Sequence, residues 1–139
     1  MVDLEFISAI ADLGIESWNA IAGVEYPFTR YEFLSALETS GAVTAEKGWQ
    51  PHHMVARREG RVIGVMPMYI KTHSYGEYVF DWSWADAYQR HGRSYYPKLL
   101  AAIPFTPATG PRLCVSDEAD RDAVMAAVAT VLPAHVKAL

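Results

Sequence analysis

One run of the chain, "HSYGEYVFDWSWADAYQRHG" at residues 73–92, concentrates side chains equipped for acid–base chemistry and for binding. Its two central carboxylates, Glu77 and Asp81, are candidate general bases. A carboxylate whose pKa is raised by partial burial can take the proton of an attacking ammonium. His73, Ser74 and Tyr75 precede them with hydrogen-bonding groups, and Trp82 and Trp84 follow with ring area on which a substrate could rest. His73 and Ser74 are neighbours and point apart in an extended backbone, which argues against a Ser–His–acid triad. The alternative for these polar groups is a set of turn hydrogen bonds, with Gly76 supplying the conformation. The aromatics also admit two uses. Residues two apart in a strand share a face, so Tyr78 and Phe80, or Trp82 and Trp84, are either strand core or the wall of a pocket.

Further candidates follow. "QRHGRS", residues 89–94, puts Gln89, Gly92 and Ser94 in a glycine-containing loop whose backbone amides could cradle a phosphate. Tyr96 and Lys98 come next, and Lys98 suits a phosphate or carboxylate as well as it suits plain solvation. "PFTPATGPR" carries Thr106 and Arg112, the latter able to grip an oxyanion with two parallel bonds. His52 and His53 have no Cys or acid at ligand spacing, so no metal centre is expected. The single cysteine, Cys114, excludes an intrachain disulfide and sits in a short apolar run, as a core residue does.

The 139 residues suffice for one domain with a real core. A hydrophobic share of 51%, a charged share of 20% and a net charge of -4 describe a globular chain without the basic footprint of bulk nucleic-acid binding. No apolar run nears the ~20 residues of a membrane span, and the first residues are acidic where a secretion signal is basic, so a cytoplasmic location is expected.

The elements that must position these residues are read as follows. "VDLEFISAI" predicts a strand, and "GIESWNAIAG" a helix stopped at Gly23. "FTRYEFLSALETSG" predicts a helix opened by a capping box of Thr29 and Glu32. "TAEKGWQPHH" reads as loop. "MVARREGRVIGVMPMYIKTHS" predicts a hairpin turning at Glu59 and Gly60, with Pro67 at an edge, bulge or bend. "EYVFDWSW" predicts a strand, "YYPKLLAAI" a helix with Pro97 in its first turn, "RLCV" a buried strand, and "SDEADRDAVMAAVATVL" a helix ended by Pro133. The order is β-α-α-β-β-β-α-β-α: an α/β chain with a mixed sheet and helices on its faces.

That order, with "QRHGRS" between a strand and a helix, resembles the Gcn5-related N-acetyltransferase (GNAT) fold, truncated before its last strands. Ser94 stands where that fold's phosphate loop has glycine or alanine. The segments "PFTRYEFLSALETSG", "GWQPHH", "GVMPMYIKTHSYGEYVFDWSWADAY" and "GRSYYPKLLAAIPFTPATGPRL" resemble the FemAB-like family of peptidoglycan biosynthesis or recognition proteins over most of residues 27–113. The resemblance implies a single GNAT-like domain over residues 1–139, the N-terminal half of a longer two-domain protein. It implies acyl or aminoacyl transfer to an amine of a cell-wall precursor, with acetyl-CoA or aminoacyl-tRNA as donor. An acetyl-CoA-dependent N-acetyltransferase and a non-catalytic precursor-binding module are the alternatives. An unpaired sheet edge would favour a homodimer.

Overall fold

The computed structural model describes residues 1–73, 82–105 and 112–139, except for the side chains of Trp82 and Ser83. The elements are β1 (Val2–Ile7), α1 (Ile15–Ala22), α2 (Tyr31–Thr39), β2 (Trp49–Pro51), β3 (His53–Arg58), β4 (Arg61–Met66), β5 (Met68–Lys71), α3 (Trp82–Arg90), β6 (Lys98–Ala101), β7 (Cys114–Val115) and α4 (Arg121–Ala138). The strands form two antiparallel sheets, ordered β1-β3-β4-β7 and β2-β5-β6, where one mixed sheet was expected. Pro67 separates them. It has no N–H to donate to a ladder, so the chain leaves the first sheet after Met66 and enters the second at Met68.

Helices cover both faces of the first sheet, as the pattern predicted. On one face Ile10, Trp18 and Leu34 pack on Val65 and Cys114. On the other, Val124, Val128 and Leu132 of α4 pack on Met54, Ala56 and Ile63, with Val2, Leu4 and Phe6 of β1 beside them. Strict alternation would send Ile63 and Val65 to the same face. The hairpin turns at Glu59 and Gly60 as expected, but its register slips: Ala56 pairs with Gly64 and Arg57 with Val62. Ile63 is the extra residue of this bulge. It lets Ile63 face α4 while Val62 and Val65 face α1.

The predicted capping box does not form. Thr29 Oγ1 donates to the Tyr26 carbonyl at 3.2 Å, and Glu32 accepts from Asn19 Nδ2 at 2.6 Å. The α2 amide of Tyr31 instead donates to Asn19 Oδ1 at 2.9 Å. A side chain of α1 therefore caps α2, a tertiary contact that outcompetes the local one. Nor does Pro133 end α4, which runs on to Ala138. Proline removes one intrahelical bond, but the turn beyond is anchored: the His135 ring stacks on Phe6 at 3.8 Å, and its Nε2 lies 2.7 Å from Nε2 of His52. The presumed loop at "GWQPHH" supplies β2 and the start of β3.

The largest correction concerns "EYVFDWSW" and "YYPKLLAAI". The last three residues of the presumed strand, Trp82, Ser83 and Trp84, open α3, while residues 77–81 lie outside the described residues, and the presumed helix supplies β6. Asp86 and Arg90 lie one turn apart and 3.3 Å from each other, a pairing only a helix offers. Pro97 disfavours helical backbone at Tyr96, and the chain after it pairs with β5, Lys98 opposite Lys71 and Leu100 opposite Tyr69.

His53 is fully buried. Its Nδ1 accepts the Met68 N–H at 3.2 Å, so the ring proton is on Nε2, which donates to Glu38 Oε2 at 2.7 Å. Glu38 Oε1 accepts the Ile10 N–H at 2.9 Å. Removing the carboxylate leaves a ring N–H and a backbone N–H unpaired, each costing about 1–3 kcal/mol. Glu38→Ala is therefore expected to lower unfolding stability by about 2–4 kcal/mol in a urea titration, and Glu38→Gln by less. A loss under ~1 kcal/mol for Glu38→Ala would contradict this bonding.

Candidate functional site

Three adjoining cavities follow the chain from α3 to β6. The first, about 600 Å³, is lined by Trp84, Ala87, Tyr88, His91 and Arg93. The second, about 440 Å³, shares Arg93 and adds Gln89, Gly92, Ser94, Tyr95 and Tyr96. The third, about 210 Å³, shares Ser94 and Tyr96 and lies between Lys98 and Leu99 of β6, Ile70 of β5, and Val136 and Leu139 at the end of α4. The described residues that line them include cations and neutral groups but no carboxylate side chain.

Helical spacing builds the first wall. Trp84, Tyr88 and His91 stand four and three residues apart, so one face of α3 presents Trp84 and Tyr88, and His91, just past its last residue, continues that face. Trp84 is 65% and Tyr88 41% exposed. The helix ends by doubling back: Gly92 adopts φ +71°, its N–H donates to the Gln89 carbonyl at 3.0 Å, and the Arg93 N–H reaches the Tyr88 carbonyl at 2.8 Å. The His91 N–H donates to Ala87 and Tyr88. Tyr88 then meets Tyr95 edge to face at 5.1 Å, and Tyr95 meets Tyr96 at 5.0 Å. Lys98 Nζ lies 5.2 Å and 5.6 Å from the centroids of these last two rings. Four aromatics thus pave the cavities in sequence.

This geometry overturns the phosphate-loop placement of Gln89, Gly92 and Ser94. The segment ends one helix and precedes a strand, where a phosphate loop needs a helix to begin. The amides of His91, Gly92 and Arg93 are consumed by the carbonyls of α3, and a helix C-terminus is the negative end of the macrodipole. Ser94 Oγ donates to the Tyr96 carbonyl. The three residues do line one cavity together with Tyr96, as side chains rather than as an amide cradle.

The other predicted residues divide. Lys98 and Tyr96 line the third cavity. Trp84 lines the first, but it does not share a strand face with Trp82, because both belong to α3. His73 lies apart from these cavities. Its Nε2–H donates to the Lys47 carbonyl at 2.9 Å, packed against Gly48. Arg112 precedes β7 at the first sheet, beside Cys114, whose thiol pKa burial raises against the pull of Arg121 and Arg112. Ser74, Tyr75, Glu77, Asp81 and Thr106 lie outside the described residues. Tyr88, His91, Arg93 and Tyr95 were not anticipated, since it takes both α3 and the turn at Gly92 to bring them to these cavities. Lys71, opposite Lys98, is fully buried with its ammonium 3.7 Å from the centroid of the Trp49 ring.

The α4 wall of the third cavity is held by the pair His52 and His135. Their 2.7 Å contact needs one nitrogen donating and the other accepting, so it does not survive double protonation. Burial, then the neighbouring His135 and His53, hold the His52 pKa below its ordinary value of 6.5. A base depressed on folding contributes stability above its unfolded pKa and loses it as pH falls through that value. The melting temperature is expected to fall between about pH 7.5 and pH 5, and less steeply in His52→Gln. Parallel profiles for the two proteins would contradict this role.

A family model described as FemAB-like, peptidoglycan biosynthesis/recognition, matches residues 9–139. No curated protein and no solved structure matches the chain. The chain belongs to the FemAB-like family.

Proposed function

We propose, from this membership of the FemAB-like family, that the chain is an acyl- or aminoacyl-transferring unit acting on an amine of a peptidoglycan precursor, or the substrate-holding half of one. The match over residues 9–139 carries the proposal. It includes a single GNAT-like domain that pairs with a second to complete the site. The substrate amine attacks the carbonyl of an activated ester or thioester, such as aminoacyl-tRNA or acetyl-CoA. The ammonium proton passes to a carboxylate, Glu77 or Asp81, and the carbon–oxygen or carbon–sulfur bond breaks as the tetrahedral intermediate collapses. Lys98, with Tyr96 and Trp84, holds the acceptor, and no covalent enzyme intermediate is required.

Two observations weigh on the alternatives. The amides of residues 91–93 are spent on α3, which removes the support that "QRHGRS" lent to a pyrophosphate-binding acetyltransferase. The lack of a carboxylate among the described lining residues favours a binding module, unless Glu77 or Asp81 completes the wall. The end strands of the two sheets, β1 and β7, β2 and β6, are where a second copy would add. Among the described residues no helix is long and apolar enough to cross a membrane.

A peptidoglycan precursor is expected to raise the melting temperature, because it binds only the folded state. Glu77→Gln or Asp81→Asn is expected to slow transfer by about 10²–10⁴-fold while keeping that rise. Undiminished transfer in both variants would remove the carboxylate base. A rise without transfer in the parent protein would favour the binding module.

A further inference from the structure

We infer that the outward face of α4 is a self-complementary surface on which a second copy of this chain docks, the two helices antiparallel about a two-fold axis between Ala129 and Thr130. The inference does not depend on the proposed transfer. It differs from pairing at a sheet edge, because it uses the side chains of a helix face.

α4 is apolar on both sides. Val124, Val128 and Leu132 pack on the first sheet. Asp122, Ala126, Ala129, Pro133 and Lys137 recur every three or four residues, share the opposite face and are exposed. Met125 and Val136 flank them, 50% and 43% exposed. Thr130 belongs to the same face, and its hydroxyl already donates to the Ala126 carbonyl at 2.9 Å, so it brings no unmet polar group. Between Asp122 and Lys137 the sequence holds no Asp, Glu, Lys or Arg. A solvated helix face carries charged and polar groups, whereas a helix apolar on both sides is one that is covered on both.

The two ends of the face identify what covers it. Asp122 stands in the first turn and Lys137 in the last. A parallel copy would oppose like charges. An antiparallel copy sets Asp122 of each beside Lys137 of the other, and it also opposes the two helix dipoles favourably. The same register places Ala126 against Pro133 and Ala129 against Thr130. Small side chains meet along the middle, so the axes can approach to about 8 Å. Met125 of each copy then adjoins Val136 of the other along one flank. A lipid surface fits less well, because an interfacial helix carries Lys and Arg on its polar face and bulky Trp, Phe or Leu on the other. α4 has 18 residues and is about 27 Å long, which puts the contact at the small end of specific interfaces and implies a weak, reversible dimer. Val136 also lines the third cavity. The pairing therefore sets a carboxylate of the second copy near a cavity whose described lining has none.

Analytical ultracentrifugation of the 139-residue protein tests this. A monomer–dimer equilibrium is expected, with a Kd in the range of about 1–100 µM. Ala129→Glu brings two carboxylates together at the axis and should weaken the dimer at least about tenfold. Asp122→Lys and Lys137→Glu each place like charges together twice and should each weaken it about tenfold. The double variant restores opposite charges and should return the Kd to within about threefold of the parent. All three positions are exposed, and circular dichroism checks that each variant folds. A protein that stays monomeric up to about 200 µM would overturn the inference. So would a dimer that Ala129→Glu leaves intact, which would move the second copy to a sheet edge, or a double variant no tighter than the single ones.

Discussion

The fold depends on a buried relay of hydrogen bonds centred on His53. One imidazole touches three separate parts of the chain: it belongs to β3, accepts from the first amide of β5, and donates to a carboxylate of α2 that also holds Ile10. Buried polar groups need partners, so each element is fixed by the requirement to satisfy the others. The relay also sets how the two sheets meet. Met68 is the residue after Pro67, and its bond to His53 holds the second sheet against the first just where the proline has broken the ladder.

The candidate groove follows from that placement. β6 pairs with β5, so Lys98 and the tyrosines before it sit where the second sheet puts them. α4 reaches past its proline because Phe6 and His52 hold His135, and its last residues close the third cavity. The turn at Gly92 is shaped by α3 itself, whose last carbonyls take the available amides. The polar walls of the cavities there are made by side chains, among them those of Arg93 and Lys98. Neighbouring rings temper the charge of Lys98.

Much of the frame was legible in the residues. β1, α1, α2, the hairpin at Glu59 and Gly60, the bend at Pro67 and the helix from Arg121 all follow from periodicity and turn chemistry. The misread elements were short and apolar. Alternating aromatics in "VFDWSW" fit a strand, yet from Trp82 onward the pairing of Asp86 with Arg90 and the flanking Ala85 and Ala87 fit a helix, and short runs of this kind are ambiguous by periodicity alone. "YYPKLLAAI" has helix-forming residues, but its proline and its partner strand decided against them. The capping box failed because Asn19, ten residues before Thr29, reached the helix first. The link between Glu38 and His53 spans fifteen positions and carried no local signal. Of the site, Tyr96, Lys98 and Trp84 were identified by type, whereas Tyr88, His91 and Arg93 became visible only once α3 was known.

The account's central claim is that a peptidoglycan-derived ligand is bound along α3, the Gly92 turn and β6. The most direct test is nuclear magnetic resonance mapping of backbone and tryptophan side-chain amides during titration with a soluble peptidoglycan fragment. The account predicts that the largest shifts fall on residues 84–98 and at the end of α4, with those around Arg112 and β7 unmoved. Shifts centred on β7 and Arg112, or none at saturating ligand, would contradict it.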